Sequence, residues 1–296
     1  MVDAFIDTLE LFPRGLVYVG IGVAVLVIGK LVQDLLTPYK INRQLRTKDN
    51  VALGLSITGY YLGIVIVFVG AVYQDFSNPI ITDGLGFTTD YWQEVLEVFL
   101  TSLAGIAALN LARLAVDKLV LYRFSTERKI IDDQNAGTGA VEAGVYIATA
   151  LVIAGSVSGE GGGPETSAAF AALGLLILVL YTLFYELTTS FNIHDQIDAN
   201  NTAVGVALAG NLIAIGIVVL KAVFGDFVNW EEALAGFITF AAFGFGLLLA
   251  MRLVVDFIMF PRVKVADELA IDRNLGVALI EGSVVVGASL ILFFAV

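Results

Sequence analysis

The sequence predicts an all-α integral membrane protein with eight transmembrane helices. Hydrophobic residues make up 58% of the 296 positions and charged residues 15%, and the mean hydropathy is +0.88. A soluble domain is closer to half apolar and a quarter charged. The apolar residues fall in blocks of about 20, which is the helix length that crosses roughly 30 Å of hydrocarbon. Lys and Arg are concentrated in alternate loops, as expected of a chain that crosses a membrane several times.

The apolar blocks define the elements in order. The predicted spans lie near residues 15–37, 51–74, 93–120, 137–157, 167–189, 202–224, 231–259 and 275–296. Residues 1–14 precede them, and their apolar positions follow helical spacing, so we expect an N-terminal interfacial segment there. The early charges of this segment are acidic, whereas a signal peptide starts with basic residues.

Lys and Arg also predict the orientation of the chain. The loops inside successive helix pairs carry many of these residues, whereas the loops between pairs carry none. Because basic loops stay on the cytoplasmic side, we expect a multi-pass protein of the cell (inner) membrane with both termini outside. The third within-pair loop, "NIHDQIDANN", has no Lys or Arg, and its neighbours decide its side. The loops between pairs are acidic, which indicates hydration or, as the alternative, a funnel for cations.

The sequence repeats itself. The second helix of each pair opens with an asparagine, which is a preferred cap because its side chain accepts a hydrogen bond from the first helical turn. The four openings are "DNVALGLSITGYYLG", "QNAGTGAVEAGVYIA", "NNTAVGVALAGNLIA" and "RNLGVALIEGSVVVG", led by Asn50, Asn135, Asn201 and Asn274. The first helices end alike, in "KLVQD", "RLAVD", "TLFYE" and "RLVVD". We therefore predict four tandem two-helix repeats.

Pairs two and four match best, because their distinctive polar residues recur at a constant spacing of 139 positions. Arg113, Asp117, Asn135 and Glu142 correspond to Arg252, Asp256, Asn274 and Glu281. We predict two parallel four-helix halves, residues 15–157 and 167–296, joined by a Gly-rich linker at 158–166. Glycines at matching positions of the second helices, such as Gly59 and Gly144, allow close approach, so these helices are expected to form the inner contacts.

These features resemble the YjfL-type family of inner-membrane proteins, number 350 in the domain-of-unknown-function series. The resemblance rests on the stretches "NNTAVGVALAG" and "DNVALGLSITGYYLG" and on the four-helix unit, and it covers nearly the whole chain as two fused copies. It implies a small integral membrane protein. It brings no established activity, so function has to be inferred from the residues.

The residues that point to a function form a charged layer inside the spans. Glu142 and Glu281 each lie seven residues, or about 10 Å, into their helices, and Arg113 and Arg252 lie at a similar depth. We expect each Glu to pair with an Arg, since an isolated charge in a span costs at least about 2.5–3.5 kcal/mol. A proton or cation site, a structural ion pair and a protonated carboxyl group all stay open. Asp117 and Asp256, four residues after the arginines, complete the set.

Two functions are compatible with this set. The first is translocation of protons or a small cation by the paired Glu and Arg side chains. The alternative is a non-catalytic membrane scaffold, with partner proteins in an envelope-stress complex and purely structural Glu–Arg pairs. A homo-oligomer is kept among the candidate partners. We expect no enzyme, because no Ser/His, paired-Asp or metal constellation is present in the sequence.

Composition argues against several other classes. The absence of Cys and the single His, His194, leave little material for thiol chemistry, haem or zinc, so we expect no cofactor and no metal. His194 itself is interpreted as structural or solvated. The net charge of −12 argues against a nucleic-acid partner. The lipid bilayer is the expected environment.

Overall fold

A computed structural model describes the backbone of residues 2–73, 89–119, 125–159 and 161–296. Side chains are described over the same ranges except at 2–11, 73, 89–90, 112–113, 115–117 and 119. Throughout these ranges every regular element is a helix, as the sequence predicts.

Eight long helices cross the described part of the molecule. They are α1 (Val2–Leu36), α3 (Val51–Tyr73), α4 (Thr89–Leu119), α6 (Ala136–Val157), α7 (Pro164–Thr188), α9 (Thr202–Val223), α10 (Trp230–Val254) and α12 (Leu275–Ala295). A π-helical turn, Val255–Met259, follows α10 directly. Each long helix contains 21 to 30 residues that are apolar enough to cross a membrane, which confirms the eight predicted spans.

The first helix is longer than its predicted span. α1 begins at Val2 and continues through Pro13 to Leu36. From Val2 on, the predicted interfacial segment 1–14 is therefore part of the same helix as the first span. The position of this segment on a membrane surface stays a prediction.

One short helix joins the two long helices of each pair, and all four short helices end in the same way. They are α2 (Ile41–Lys48), α5 (Thr126–Ile131), α8 (Ile193–Asp198) and α11 (Val265–Ala270). After each comes a residue in the left-handed region, with φ between 48° and 56°: Asp49, Gln134, Asn200 and Arg273. Such a residue turns the chain sharply, so that the asparagine after it starts the next long helix. We call the side of the molecule that carries these short helices the cap side.

Each of the four asparagines accepts hydrogen bonds from the first turn of its helix. The Asn135 side chain accepts from the Thr138 N–H at 2.9 Å, and the Asn50 side chain accepts from the Leu53 N–H at 3.0 Å. Asn201 and Asn274 each accept from two backbone N–H groups. These bonds satisfy amides that the helix itself leaves without a partner.

The inner layer is a row of four parallel helices in the order α3, α6, α9, α12. Small residues let neighbours approach closely. A methyl group added to Gly144 would lie 2.6 Å from the Cα of Ala209, and Gly59 lies in the same way against Ala143. The predicted inner contacts between second helices are thereby confirmed. The finer division into four two-helix repeats stays a prediction.

The other four long helices cover this row from outside. α4 packs on α3 and α6, α7 packs on α6 and α9, and α10 packs on α9 and α12. α1 packs on α3 and α4. Each of the three later outer helices therefore lies over the groove between two inner helices, while α1 reaches a single inner helix.

The Gly-rich linker passes along the side opposite the caps. Gly159 and Gly161 have φ values of 87° and 83°, which favour glycine. A methyl group on Gly161 would lie 2.5 Å from the Phe227 carbonyl oxygen, so the linker rests against the loop between α9 and α10. The second half then begins at Pro164, at the first position of α7.

Candidate functional site

The two predicted glutamates are both buried. Glu142 lies on α6 and Glu281 on α12, and each side chain is 2% exposed. Each lies seven residues after its cap asparagine, so both are about 10 Å from the cap side. The structure thus places an ionisable group in the apolar interior of each half.

Glu281 is surrounded by polar side chains from other helices. The Tyr185 hydroxyl of α7 donates to Glu281 Oε1 at 3.4 Å, and the amide of Asn211 on α9 also faces the carboxyl group. The second oxygen, Oε2, has no hydrogen-bond partner among the described residues. A buried acceptor without a partner is costly, and the cost is larger for a charged group. Oε2 of Glu281 is therefore a buried acceptor that is open to a further hydrogen bond or a proton.

Arg252 approaches Glu281 without touching it. The Arg252 guanidinium carbon lies 5.4 Å from the centre of the Tyr185 ring, and its Nη1 donates to Thr188 Oγ1 at 3.2 Å. No salt bridge joins the described side chains of Arg252 and Glu281. The predicted direct pair is therefore wrong in the second half. The cation binds the face of the tyrosine ring instead, and the hydroxyl of the same ring contacts the carboxyl group.

The predicted partner of Arg252 four residues later does not bind it either. Asp256 is half-buried and lies in the π-helical turn that follows α10, and no salt bridge joins these two described residues. A π-helical turn is wider than an α-helical one, so positions four apart no longer align on one face. In the first half, Lys30 and Asp34 likewise form no salt bridge, and Asp34 is exposed.

The first half is described less completely. The side chains of Arg113 and Asp117 lie outside the described residues. Glu142 itself lies in the tightest part of the row, because Ala143 packs against Gly59 on one side and Gly144 packs against Ala209 on the other. The backbone of α6 is thus closely packed on both sides beside this buried residue.

The hydroxyl of Tyr60, which lies beside the Gly59–Ala143 contact, bonds to α1 and α4. The Tyr60 hydroxyl donates to the Gly29 carbonyl at 3.2 Å and accepts from Asn110 Nδ2 at 3.0 Å. The ring of Tyr60 packs edge-on against Tyr146, with 5.2 Å between centroids. Packing and backbone bonding are therefore the observed roles of Tyr60.

Alignment of "KLVQD" with "TLFYE" puts Gln33 at the position of Tyr185. Gln33 is 2% exposed, and its Oε1 accepts no hydrogen bond within the described chain. A buried polar group thus occupies this position of α1 and of α7 alike.

Sequence reasoning missed three residues of the second site. Tyr185, Tyr181 and Asn211 were not among the predicted site residues, yet Tyr185 and Asn211 face Glu281. The Tyr181 hydroxyl donates to Asn211 Oδ1 at 2.8 Å. The available signal was the uncharged polar residue Asn211 in an apolar span, together with the tyrosine next to Glu186 in "TLFYE". Such residues are inconspicuous because Tyr and Asn also occur in spans as ordinary packing and helix–helix contacts.

The cap side carries a second group of charges. His194 is buried, and its Nδ1 lies 3.1 Å from Glu186 Oε1. Lys129 on α5 binds Asp198 at 2.7 Å and Asp133 at 3.1 Å. The hydrogen bond that Lys129 donates to Asp198 is the main cause that raises the pKa of Lys129 above its ordinary value. This ion pair connects the first half with α8 of the second.

Comparison with known proteins identifies the two halves. A family described as Domain of Unknown Function (DUF350) matches this chain twice, over residues 7–157 and 162–296. No solved structure matches. The gap between the two matches, residues 158–161, falls in the Gly-rich linker.

Two curated relatives support the same division. The chain is 22% identical to a UPF0719 transmembrane protein of Aquifex aeolicus (strain VF5), over 85% of this chain and 88% of that protein. It is 29% identical to the UPF0719 transmembrane protein YshE of Bacillus subtilis (strain 168), over 42% of this chain and 87% of that protein. The Bacillus protein therefore corresponds to about one of the two halves.

Proposed function

We propose a proton-translocating role for this chain, which belongs to the family described as Domain of Unknown Function (DUF350). Glu142 and Glu281 are the groups that bind and release the proton, one in each half. The chain is a multi-pass membrane protein, so the proton would cross the membrane through the helical bundle.

The observation that carries the proposal is the state of Glu281. Its side chain is 2% exposed, and Oε2 has no partner within the described residues. Ionisable groups inside spans are expensive to keep, and they most often mark pathways for protons or ions. A proton on Oε2 would remove the charge and so lower the cost of burial.

The donor set favours a proton over a metal cation. A metal cation prefers several oxygen ligands, whereas the Glu281 site offers one carboxyl group, one hydroxyl and one amide. The described residues contain no group of three or more His, Cys, Asp or Glu side chains that could hold a metal ion. The closely packed row also leaves little space for a hydrated ion.

Access to Glu281 is asymmetric. Towards the cap side lie Tyr185, then Arg252 and the exposed Thr188, which give a polar route of three residues. In the other direction the next buried polar group on α12 is Ser289, about 12 Å further along the helix. Val285 lies between them and is buried. Release on that side requires a movement that opens this apolar layer.

Proton flux into proteoliposomes tests the proposal. The wild-type protein should acidify or alkalise the lumen in response to an imposed gradient, and the Glu142→Gln, Glu281→Gln double variant should fall to the level of protein-free vesicles. Each single variant should retain about half of the flux if each half has its own path. The matched control is Glu231→Gln, the same substitution at an exposed position.

Two results would contradict translocation. One is a double variant that conducts like the wild type, and the other is a wild-type protein that conducts no better than protein-free vesicles. Either result would leave the scaffold function, with structural glutamates, as the better account.

A further inference from the structure

Three outer helices pack on the inner row through the same kind of contact. In each step, a glycine of an outer helix receives a valine of the preceding inner helix. The pairs are Gly105 with Val67, Gly174 with Val152, and Gly244 with Val218. Each valine lies seventeen residues after its cap asparagine, and none is more than 1% exposed. The contact is therefore a property of the position, repeated along the chain.

The fourth position of this series has no partner within the chain. Ile291 lies seventeen residues after Asn274 and is also β-branched and apolar, yet it is 70% exposed. None of the described helices covers it. On an open face, α12 therefore presents Ile291 at the position that the valines occupy in the repeated contact.

The cap asparagines form a second series that ends at the same helix. In three cases Nδ2 donates to a backbone carbonyl of the next short helix: Asn50 to Ile130, Asn135 to Ile197, and Asn201 to Leu269, at 2.7 to 2.8 Å. Asn274 departs from this pattern, because its Nδ2 donates to Glu268 Oε2 of α11, the short helix before it. Two independent series of contacts thus stop at α12.

The complementary half of the contact lies open at the other end of the row. The alignment of "KLVQD" with "TLFYE" places Gly22 of α1 at the position of Gly174. Gly174 lies against Val152 of the preceding inner helix and Val219 of its own. The three atoms nearest to a methyl group on Gly22 all belong to Phe68, which corresponds to Val219. Among the described helices, α1 therefore packs on its own inner helix, α3, and makes no contact of the Gly174–Val152 kind.

A groove marks the missing helix. It lies between α1 and α3, has a volume of about 420 Å³, and is lined by apolar side chains such as Val23, Val27 and Leu62, with Thr58. The span in α1 is 11% buried, the lowest value of the eight spans in the described chain. α4, α7 and α10 each lie over two inner helices, so the groove is the site that a further inner helix would fill.

We propose that α12 of one molecule lies in the α1–α3 groove of a second molecule, with Ile291 against Gly22. The contact is head-to-tail, so molecules associate into a ring or a longer row. It continues an interface already present three times in the chain, and close packing of small and β-branched residues is what drives association of helices in lipid. The proposal does not depend on proton movement.

The new interface differs from the inner ones at one point. Neighbouring inner helices of one molecule meet at pairs of small residues, which are Gly59 with Ala143, Gly144 with Ala209, and Gly210 with Gly282. At the equivalent position of the proposed interface, Ser283 of one molecule lies against Thr58 of the other. Both residues are exposed in the single molecule, and both carry a hydroxyl. These larger side chains keep the two backbones further apart, so the contact between molecules is looser than the contacts within one.

Cysteine cross-linking tests the proposal, because the chain has no native Cys. Gly22→Cys and Ile291→Cys are made on differently tagged chains, expressed together and oxidised in the membrane. A disulfide needs Cα atoms within about 7 Å, so the mixed pair should cross-link. The control combines Gly22→Cys with Phe243→Cys, which is 56% exposed beside Gly244 and so lies at the depth of the contact. A mixed cross-link no stronger than this control would overturn the proposal.

A second measurement does not depend on cysteine chemistry. The wild-type protein and Gly20→Trp, at an exposed position with open space, should be oligomeric by native mass spectrometry in mild detergent. Gly22→Trp fills the groove and should be monomeric. Oligomers that persist in Gly22→Trp would overturn the proposal. So would a monomeric wild-type protein that retains a lipid, because the groove, with Lys30 in its lining, would then hold an acyl chain.

Discussion

Glu142 and Glu281 occupy equivalent positions of the two halves and are equally buried, but they lie at different places in the inner row. Glu142 is on α6, which has an inner neighbour on each side, and 72% of that span is buried. Glu281 is on α12, at the end of the row, where 33% of the span is buried. Close backbone contacts flank the position of Glu142 on both sides, whereas the side chains of Tyr185 and Asn211 face Glu281. Equal burial of equivalent residues is thus reached by different means.

The largest expected effect comes from adding one methyl group beside each glutamate. In Gly144→Ala the new methyl meets the backbone of Ala209 at 2.6 Å, whereas in Gly282→Ala it meets Gly210 at an ordinary 3.6 Å. Because a backbone yields less than a flexible side chain, Gly144→Ala should cost about 1–3 kcal/mol of stability, and Gly282→Ala should be close to neutral. Thermal unfolding in detergent measures both. Equal losses would show that the centre and the end of the row are equally tight.

Removal of the cap asparagines compares the same two helices at their starts. Asn135→Ala removes a cap and also the bond from Nδ2 to the buried Ile197 carbonyl of the other half, which then keeps only backbone donors, so it should cost about 2 kcal/mol. Asn274→Ala removes a cap and a bond to Glu268 of its own half, so it should cost about 1 kcal/mol. The difference in unfolding free energy between the variants is the quantity to measure. A larger loss for Asn274→Ala would contradict the assignment of α12 as the free end.

Tyr185→Phe sharpens the comparison at the site itself. It removes the hydroxyl that donates to Glu281, and it should cost about 1 kcal/mol and lower proton flux. Tyr60→Phe is the matched variant of the first half, because its hydroxyl donates to the Gly29 carbonyl. It should cost a similar amount and leave flux unchanged. A flux that falls equally in both variants would mean that the hydroxyls act through stability alone.

The smallest effect is expected at the ion pair that connects the two halves. The folded pKa of Lys129 is raised, mainly by Asp198, so its stabilising contribution is complete below the unfolded pKa of about 10.4 and is lost as pH rises through the folded pKa. Lys129→Met should therefore lower the free energy of unfolding by at most about 1 kcal/mol at neutral pH. It should also remove the part of the stability loss at alkaline pH that comes from deprotonation of Lys129. Unfolding measured from pH 7 to 11 tests this. Lys264→Met, at an exposed residue of the second half, is the control.

Much of the fold and part of the site could be predicted from sequence. The eight spans follow from apolar length, and the four helix starts follow from asparagine, because both depend on local interactions. The depth of Glu142 and Glu281 follows from counting residues along a helix of known rise. The prediction of a salt bridge between Arg252 and Glu281 was wrong, because equal depth does not place two side chains on facing sides of their helices. Tyr185, which contacts both residues, comes from a third helix.

The sequence by itself determined that this protein crosses a membrane eight times, that it consists of two related halves, and that each half carries one glutamate about 10 Å from the cap side. Only the tertiary structure decided that the inner helices form an open row, that Tyr185 separates Arg252 from Glu281, and that Ile291 and Gly22 are the free ends of one repeated contact. The physical reason is that hydropathy specifies how long a helix must be, and the cap asparagines specify where it starts. The rotation of a helix about its axis, and hence its neighbours, is set by close packing among faces that are nearly equal in polarity.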